Sequence, residues 1–176
     1  MRMTEDIRYP VGKWTRESQL DAVGRADCIA AIAAMPAALS AAVAGLTDIQ
    51  LDTPYRDGGW CPRQIVHHLA DSHMNAYTRF KLGVTETNPT IKPYDEVAWA
   101  ETADNKTPVA LSVGIVDGVH QRLVALLKTL EPSQFDRTLQ HPERGPMTLT
   151  ALLGLYAWHS RHHVAQITAQ RARNGW

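Results

Sequence analysis

Apolar positions recur with the period of an α-helix along most of the chain, and the alternation typical of strands is almost absent. Four long segments carry this helical pattern, over about residues 17–46, 62–86, 109–130 and 148–174. No repeat, low-complexity tail or linker divides them. The pattern therefore predicts an all-α fold, a four-helix bundle formed by one domain over residues 1–176.

The first of these segments is rich in alanine. Ile29–Leu46 reads IAAIAAMPAALSAAVAGL, which is interrupted by Pro36 and Ser40 and is too weakly apolar for a membrane span. We therefore expect a buried, tightly packed helix. Pro36 is expected to kink or divide it, because the proline ring cannot continue a regular ladder of hydrogen bonds.

A long connection separates the second and third helices. Thr87–Pro108 contains three prolines and no sustained period, and connections longer than about 15 residues are unusual in compact domains unless they are functional. The sequence thus predicts a long crossover connection between these helices, which is the best candidate for a wall over a functional site. Its Lys92, Tyr94 and Asp95 either orient a substrate or cap the bundle.

Composition narrows the classes of partner and compartment. The chain has 18 basic and 18 acidic side chains among 176 residues, so no nucleic acid and no anionic membrane is expected as a partner. Cys28 and Cys61 are too few for a disulfide framework and lack zinc-knuckle spacing. Residues 1–16 carry charges throughout and lack the apolar core of a signal peptide. A cytoplasmic protein is expected.

Three histidines lie within five positions of the last helix, in the segment WHSRHHVAQI. Residues four apart on a helix nearly superpose, so His159 and His163 lie one turn apart on the same face. That face also carries the apolar residues of the helix: Leu149, Leu152, Tyr156 and Ile167. Arg161 points to the opposite side, and His162 lies on a flank where we expect it to be exposed or half exposed.

The second helix offers a third histidine to this pair. Its apolar stripe consists of Ile65, Leu69, Ser72, Ala76 and Phe80. His68 lies on the edge of that stripe, whereas His67 and His73 point to other sides. Two inward histidines on one helix and one on another predict a site of three histidines, His68, His159 and His163.

Metal binding would explain such a group of buried imidazoles. A buried neutral imidazole still needs partners for both ring nitrogens, and a divalent cation accepts a lone pair from each ring. Three ligands with an open fourth position are typical of catalytic zinc, although nickel, copper and cobalt also suit nitrogen ligands. Ser160 occupies the glutamate position of the HExxH motif, so the general base of that metalloprotease motif is missing. Histidine packing without metal remains the alternative, since His120 reads as a surface or interhelical residue and His141 as a loop residue.

Three stretches of the chain resemble the YfiT branch of the DinB/YfiT superfamily. They are Leu51–Glu101, Leu153–Ile167 and, at the N-terminus, Arg8–Trp14 with the sequence RYPVGKW. The resemblance covers nearly the whole chain and is weakest in the first and third helices. Cys61 departs from the expected pattern, because a hydroxyl residue is expected to cap the second helix there.

This resemblance implies a four-helix bundle with a divalent metal held by three histidines near one end. The family histidine that directly precedes Leu69 is His68, and the family HxxxH motif corresponds to His159 and His163. Superfamily members are described as metal-dependent hydrolases, or as transferases and isomerases that use low-molecular-weight thiols such as bacillithiol and mycothiol. YfiT-like proteins are similar to the thiol S-transferases and tend to be homodimers.

The expected function is therefore that of a metal-dependent enzyme that transfers a bacillithiol-like thiol to an electrophilic substrate. One alternative is a metal-dependent hydrolase that uses metal-activated water, and a second is a non-catalytic, metal-stabilised bundle. One divalent metal per chain is expected, with zinc as the first choice and nickel as the second. No protein side chain is assigned as the catalytic group, because metal-bound water or thiolate would be the nucleophile. The expected partners are a small-molecule thiol, an electrophile and a second copy of the chain.

Overall fold

The computed structural model describes residues 6–16 and 19–176 of the chain. Helices dominate it, with one two-stranded sheet and two short 3-10 helices, Ala103–Lys106 and Pro132–Asp136. The other elements are α1 (Ala22–Val43), α2 (Asp48–Leu51), α3 (Pro62–Thr85), α4 (Glu96–Ala100), α5 (Val109–Lys128), β1 (Thr138–His141), β2 (Gly145–Thr148) and α6 (Leu149–Asn174). The four long helices are those predicted from the sequence, and the predicted four-helix bundle is confirmed.

Helices α1 and α3 occupy opposite corners of the bundle. Each of them packs against both α5 and α6. The long connection from α3 therefore leads to a neighbouring helix, α5, whereas the chain crosses the bundle between α1 and α3 and again between α5 and α6. This arrangement brings α3 beside α6, the two helices that carry the predicted ligands.

Helix α1 is continuous through Pro36 and is only partly buried. It begins after Asp21, whose side chain accepts a hydrogen bond from the backbone N–H of Gly24 (2.7 Å), and the predicted start at Glu17 lies outside the described residues. The expectation of a tightly buried helix was wrong. Burial is confined to the face that meets α5 and α6, which is formed by Ile32, Met35, Pro36, Leu39 and Ala42. The remaining alanines are mostly exposed.

Two of the long helices pass a test for membrane spans that considers only length and composition. They are α1, with a mean hydropathy of 1.8, and α5, with a mean hydropathy of 1.3. In the structure 28% of the α1 window and 22% of the α5 window is buried. Core helices of soluble bundles pass the same test, so this property alone does not indicate a membrane protein.

Both long connections contain more regular structure than the sequence indicated. The segment before α6 forms an antiparallel hairpin in which Leu139 pairs with Met147. Its strands of four residues are too short for a clear alternation, and the second contains Pro146, a residue that is unfavourable in strands. The segment before α5 contains α4, which begins after Asp95, whose side chain accepts a hydrogen bond from the N–H of Ala98 (2.9 Å).

A layer of histidines divides the hydrophobic core into two clusters. The hairpin cluster, which includes residues of β1 and β2, contains Ile32, Phe80, Leu123, Leu127, Leu139, Met147, Leu149, Leu152 and Tyr156. The far cluster contains Met35, Leu39, Ile65, Leu69, Val116 and Ile167. The histidine layer consists of His68, His73, His120, His159 and His163. Along α5 and α6 these histidines lie where one cluster gives way to the other.

Candidate metal centre

The structure brings the three predicted ligand residues together. His68 comes from α3, and His159 and His163 come from α6. One ring nitrogen of each lies within 4.8 Å of the other two. The Nε2 atoms of His68 and His159 are 3.2 Å apart. Among the described residues no cysteine or carboxylate joins this group, so the site offers three nitrogens and leaves the fourth side open.

The start of α3 explains how the helix forms without the expected hydroxyl cap. Pro62 occupies the first helical position, where its missing N–H costs nothing. The side chain of Gln64 accepts a hydrogen bond from the backbone N–H of Cys61 (3.2 Å). The glutamine thus satisfies a donor at this helix end, and the departure at Cys61 does not disturb the position of His68, which lies about two turns further along α3.

All three candidate ligands are neutral at neutral pH. Burial lowers the pKa of His68 to about 4, and the nearby His162 adds to the effect. The pKa values of His159 and His163 also lie well below the ordinary value of histidine, because desolvation at the half-buried His159 and the buried His163 disfavours the charged form and neighbouring imidazoles oppose a further charge. A neutral imidazole keeps a lone pair on one nitrogen, which is the form that binds a metal ion.

Hydrogen bonds fix which nitrogen of His163 is free. Its Nδ1–H donates to Oε1 of Gln166 (2.8 Å). The amide nitrogen of Gln166 donates in turn to the carbonyl of Arg8 (3.0 Å), which sets the orientation of the amide. The lone pair of His163 therefore lies on Nε2. Metal-binding histidines commonly hold their second nitrogen by such an outer hydrogen bond.

The expectation that His162 is exposed was wrong. Its ring is 6% exposed and stacks on Trp158 with ring centroids 4.4 Å apart. The N-terminal segment covers this side of α6: Tyr9 lies 5.7 Å from the His162 ring, and the indole N–H of Trp158 donates to the carbonyl of Gly12 (2.9 Å). Helical phase within α6 cannot reveal a cover supplied by a distant segment.

Two further histidines bind other partners. His67 is buried against α5, where its ring nitrogens lie 2.7 Å from Oγ of Ser112 and 3.1 Å from the carbonyl of Thr107. His141 ends β1 and accepts a hydrogen bond from the N–H of Glu143 (3.2 Å). His67 therefore lies outside the candidate site, whereas His141 lines the cavity beside it.

The sequence interpretation missed two members of the histidine layer. His73 was placed on a flank of α3 but is fully buried, 3.1 Å from Nδ1 of His159. His120, for which a surface or interhelical position was expected, is buried between helices and lies 2.8 Å from His73. A sequence signal existed for His120, because it continues the buried stripe formed by Val116, Leu123 and Leu127 on α5.

A cavity of about 250 Å³ opens onto the candidate site. Residues of α3, α6, the long connection and the hairpin line it, including His68, Ser72, Arg79, Tyr94, His141, Arg144, Tyr156, His159 and His163. Of the three predicted wall residues, only Tyr94 lines the cavity. The carbonyl of Lys92 instead accepts a hydrogen bond from Arg79 (3.4 Å), and Asp95 caps α4.

Charged side chains of both signs line the cavity, namely Arg79, Arg144, Glu96 and Glu143. Arg79 is 8% exposed and donates to the hydroxyl of Tyr156 (2.9 Å). Among the described residues it has no carboxylate partner. A buried guanidinium without an ion-pair partner favours an anion within its reach, so the part of the wall around Arg79 suits a negatively charged group.

A larger depression of about 790 Å³ lies elsewhere, between α2, α3 and the end of the long connection. Its arginine, Arg63, is paired with Asp48 (2.7 Å) and Asp52 (2.6 Å). Because this charge is already neutralised and no cluster of ligand atoms faces the depression in the described chain, the cavity beside the three histidines is the candidate site.

Comparison with known proteins places these features in a wider context. A sequence model of the DinB superfamily matches residues 31–167. A protein of Bacillus mycoides is 50% identical over 172 residues, which cover 98% of this chain and 99% of that protein. A Bacillus cereus protein is 49% identical over 171 residues, with 97% and 99% covered. Both carry the name "Putative metal-dependent hydrolase".

Two solved structures share the fold. YfiT from Bacillus subtilis matches with a TM-score of 0.93 and 48% identity, covering 97% of this chain and 98% of its own. It is described as a probable metal-dependent hydrolase with an unusual four-helix bundle topology. TT2238, a four-helix bundle protein, matches with a TM-score of 0.58 and 19% identity over 82% of this chain and 98% of its own, and this likeness concerns the fold alone.

Proposed function

This chain belongs to the DinB superfamily, as its resemblance to the YfiT branch predicted, and from that premise we propose that it is an enzyme that depends on one divalent metal ion per chain. The ion is held by His68, His159 and His163. One observation carries this proposal: ring nitrogens of three neutral histidines from two helices lie within 4.8 Å of one another beside a cavity.

The donor set favours zinc as the metal, with nickel as the second choice. Three neutral imidazoles with an open fourth position are a common arrangement for catalytic zinc, whereas structural zinc sites are usually closed by four ligands. Nitrogen ligands also suit nickel. No thiolate or carboxylate competes for the ion among the described residues around the three rings.

We propose that the reaction is the transfer of a low-molecular-weight, bacillithiol-like thiol to an electrophilic substrate. When bound, the metal ion would lower the pKa of a thiol or a water molecule and so supply the nucleophile. Arg79 and Arg144 line the cavity and would attract an anionic reactant. Tyr156, held by Arg79 through its hydroxyl group (2.9 Å), fixes the direction of that guanidinium.

Hydrolysis is the alternative reaction, and the names of the Bacillus relatives favour it. The same three ligands serve both reactions, since only the origin of the nucleophile differs. The buried guanidinium of Arg79, which has no ion-pair partner among the described residues, supports a charged cosubstrate over water alone. A third possibility, a metal that only stabilises the bundle, is favoured by no feature of the cavity.

The first experiment measures metal content by plasma mass spectrometry on untagged protein. We expect about one ion per chain in the wild type and almost none in His163→Ala, because two imidazoles bind a divalent ion far more weakly than three. His67→Ala is the matched control, since it removes a buried histidine of α3 that lies outside the site, and it should retain the metal. Wild-type protein that takes up no metal on reconstitution would refute the proposed function.

The second experiment separates the two reactions. The metal-loaded protein is assayed with a chromogenic electrophile, with and without each member of a thiol panel that includes bacillithiol. Turnover that requires both thiol and metal supports transfer. Metal-dependent turnover of an ester without any thiol would favour hydrolysis, and a metal-loaded protein that is inactive in both assays would favour the non-catalytic bundle.

We further propose that the protein is a cytoplasmic homodimer that pairs through the outer face of α1. No side chain from Cys28 to Thr47 is charged. The exposed alanines of this outer face are Ala30, Ala33, Ala34, Ala37 and Ala41. Such a surface is suited to a second copy of the same surface. The single domain over residues 1–176 stays a prediction, as does the cytoplasmic location.

A further inference from the structure

A chain of hydrogen bonds crosses the bundle from α1 to the candidate metal site. Nδ1 of His120 lies 2.6 Å from the carbonyl oxygen of Ile32, and Nε2 of His120 lies 2.8 Å from Nδ1 of His73. Nε2 of His73 lies 3.1 Å from Nδ1 of His159. The chain thus takes one group from each long helix: Ile32 from α1, His120 from α5, His73 from α3 and His159 from α6.

The chain begins at Ile32 because of Pro36. In a regular α-helix the carbonyl of Ile32 would accept a hydrogen bond from the backbone N–H of residue 36. Proline has no N–H, so this carbonyl is left without its helical donor inside the bundle. A buried carbonyl without a partner is costly. The side chain of His120 supplies the missing donor.

The carbonyl then determines every proton position along the chain. An oxygen of this kind only accepts, so Nδ1 of His120 carries the proton and its Nε2 accepts one from Nδ1 of His73. The same rule leaves Nε2 of His73 as the acceptor for Nδ1–H of His159. All three rings therefore share one tautomer, and the lone pair of His159 lies on Nε2, the nitrogen that faces His68.

The three rings meet the condition of neutrality that this reasoning requires. His73 is fully buried and His120 is 1% exposed. Burial lowers the pKa of both rings below the ordinary value of histidine. At pH 8, even an ordinary histidine with a pKa of about 6.5 is almost entirely neutral.

We propose that Pro36 fixes the tautomer of His159 from the opposite side of the bundle, with His120 and His73 as positioning residues that hold Nε2 of His159 free for the metal. This inference rests on the proposed function in taking His159 as a ligand. Without the anchor, His73 could donate from Nε2 to Nδ1 of His159, and Nε2 of His159 would then carry the proton and lose its ability to bind a metal ion.

The test reads the tautomers directly in metal-free protein at pH 8. Long-range proton–nitrogen NMR spectra of protein with 15N-labelled histidine distinguish a protonated Nδ1 from a protonated Nε2. We expect Nδ1–H for His120, His73 and His159 in the wild type. In His120→Phe, which keeps a ring at this position but removes both hydrogen bonds, we expect a mixture of tautomers at His73 and His159. Zinc affinity, measured by competition with a chromophoric chelator, should fall about 10- to 100-fold.

His67→Phe is the matched control for a loss of packing. It also removes a buried, twice hydrogen-bonded histidine, but one whose partners are Ser112 and Thr107. Stability should fall in this variant, while the tautomer of His159 and the zinc affinity stay as in the wild type. A purely structural role for His120 predicts that both variants behave alike.

Pro36→Ala provides a milder test if His120→Phe does not fold. The restored N–H gives the carbonyl of Ile32 a second donor. Its bond from Nδ1 of His120 should weaken, so the His120 signal should shift towards a mixture of tautomers. An unchanged His120 tautomer in Pro36→Ala would overturn the role of Pro36. A wild-type His159 that carries its proton on Nε2 would overturn the whole inference, even if zinc binds. If zinc does not bind but the tautomers are as expected, the proposed function fails while the hydrogen-bond chain stands.

Discussion

The hydrophobic clusters and the histidine layer between them fill the same bundle, but the clusters consist mainly of apolar side chains and the layer of hydrogen-bonding ones. Leu69 of the far cluster and Leu152 of the hairpin cluster are fully buried and require only close contact with their neighbours. His73 and His120 are as deeply buried, but each requires a particular atom at hydrogen-bond distance. The comparison shows that stability and metal chemistry are separated along the helices. Variants of the two regions should therefore fail in different ways.

The largest effect on stability is expected from the clusters. Leu152→Ala removes fully buried methyl groups and leaves a cavity, which should lower the free energy of unfolding by about 2–5 kcal/mol. The zinc affinity of the folded fraction should change less than threefold, because the variant leaves the ligands in place. Urea denaturation and a chelator competition measure the two quantities. A tenfold loss of zinc affinity would show that the hydrophobic clusters also determine metal binding.

Metal should stabilise the protein only through the histidine layer. A ligand that binds only the folded state raises the free energy of unfolding by about 2.7 kcal/mol when its free concentration is 100 times its dissociation constant. We expect this increase for the wild type with zinc and its disappearance on addition of a chelator. His68→Ala should show no increase, whereas Leu152→Ala should show the full one. Thermal or urea unfolding with and without zinc gives the comparison.

The histidine layer could be anticipated only in part from the sequence. His68, His159 and His163 were identified by helical phase, because HxxxH spacing and an apolar stripe are local properties of one helix. His73 was assigned to a flank, since phase within α3 does not say how widely its neighbours surround it. No local rule links His73 to Pro36, because their connection passes through α5 and becomes visible only when the helices are packed.

The elements that cover the bundle also could not be predicted from local sequence patterns. The hairpin of Thr138–Thr148 consists of strands too short for a reliable period. The burial of His162 depends on the N-terminal segment around Tyr9 and Gly12, which no helical wheel of α6 includes. By contrast, α3, α5 and α6 were predicted nearly to their ends because each has many turns of consistent apolar spacing, whereas α1 is shorter than predicted.

Acid should lower the free energy of unfolding of the metal-free protein, because its buried histidines resist protonation. Burial lowers the pKa of both His68 and His162 to about 4, below the value of about 6.5 in an unfolded chain. The unfolded state therefore binds more protons than the folded state between these two pKa values. The contribution of these histidines to the free energy of unfolding is fully present above pH 6.5 and is lost as the pH falls towards 4. Each such histidine contributes up to about 1.4 kcal/mol per pH unit.

Urea denaturation at several pH values, with chelator present, measures this slope. His162→Phe is the informative variant, because it keeps a ring beside Trp158 and removes a buried nitrogen that has no hydrogen-bond partner. Its slope should be shallower than that of the wild type, with similar stability at pH 7.5. An identical slope would show that His162 does not contribute to the pH dependence.

The smallest effect on stability is expected on the outer face of α1, which belongs to neither region. Ala37 is exposed, so Ala37→Arg should change the free energy of unfolding by less than about 0.5 kcal/mol. If the homodimer forms through this face, the variant should be a monomer by light scattering at a concentration where the wild type is a dimer. Ala98→Arg, on the exposed side of α4, is the control and should remain a dimer.

The hydrogen-bond chain through all four long helices also fixes how these helices are aligned along their axes. Leucine and isoleucine side chains tolerate small slides past one another, because dispersion contacts are not directional. A shift of one residue moves a helix by about 1.5 Å and turns its side chains by about 100°, which is far more than a hydrogen bond of 2.6–3.1 Å can absorb. The buried imidazoles therefore specify a single register for the bundle, and a sequence that kept its apolar pattern but lost them would be free to settle in several.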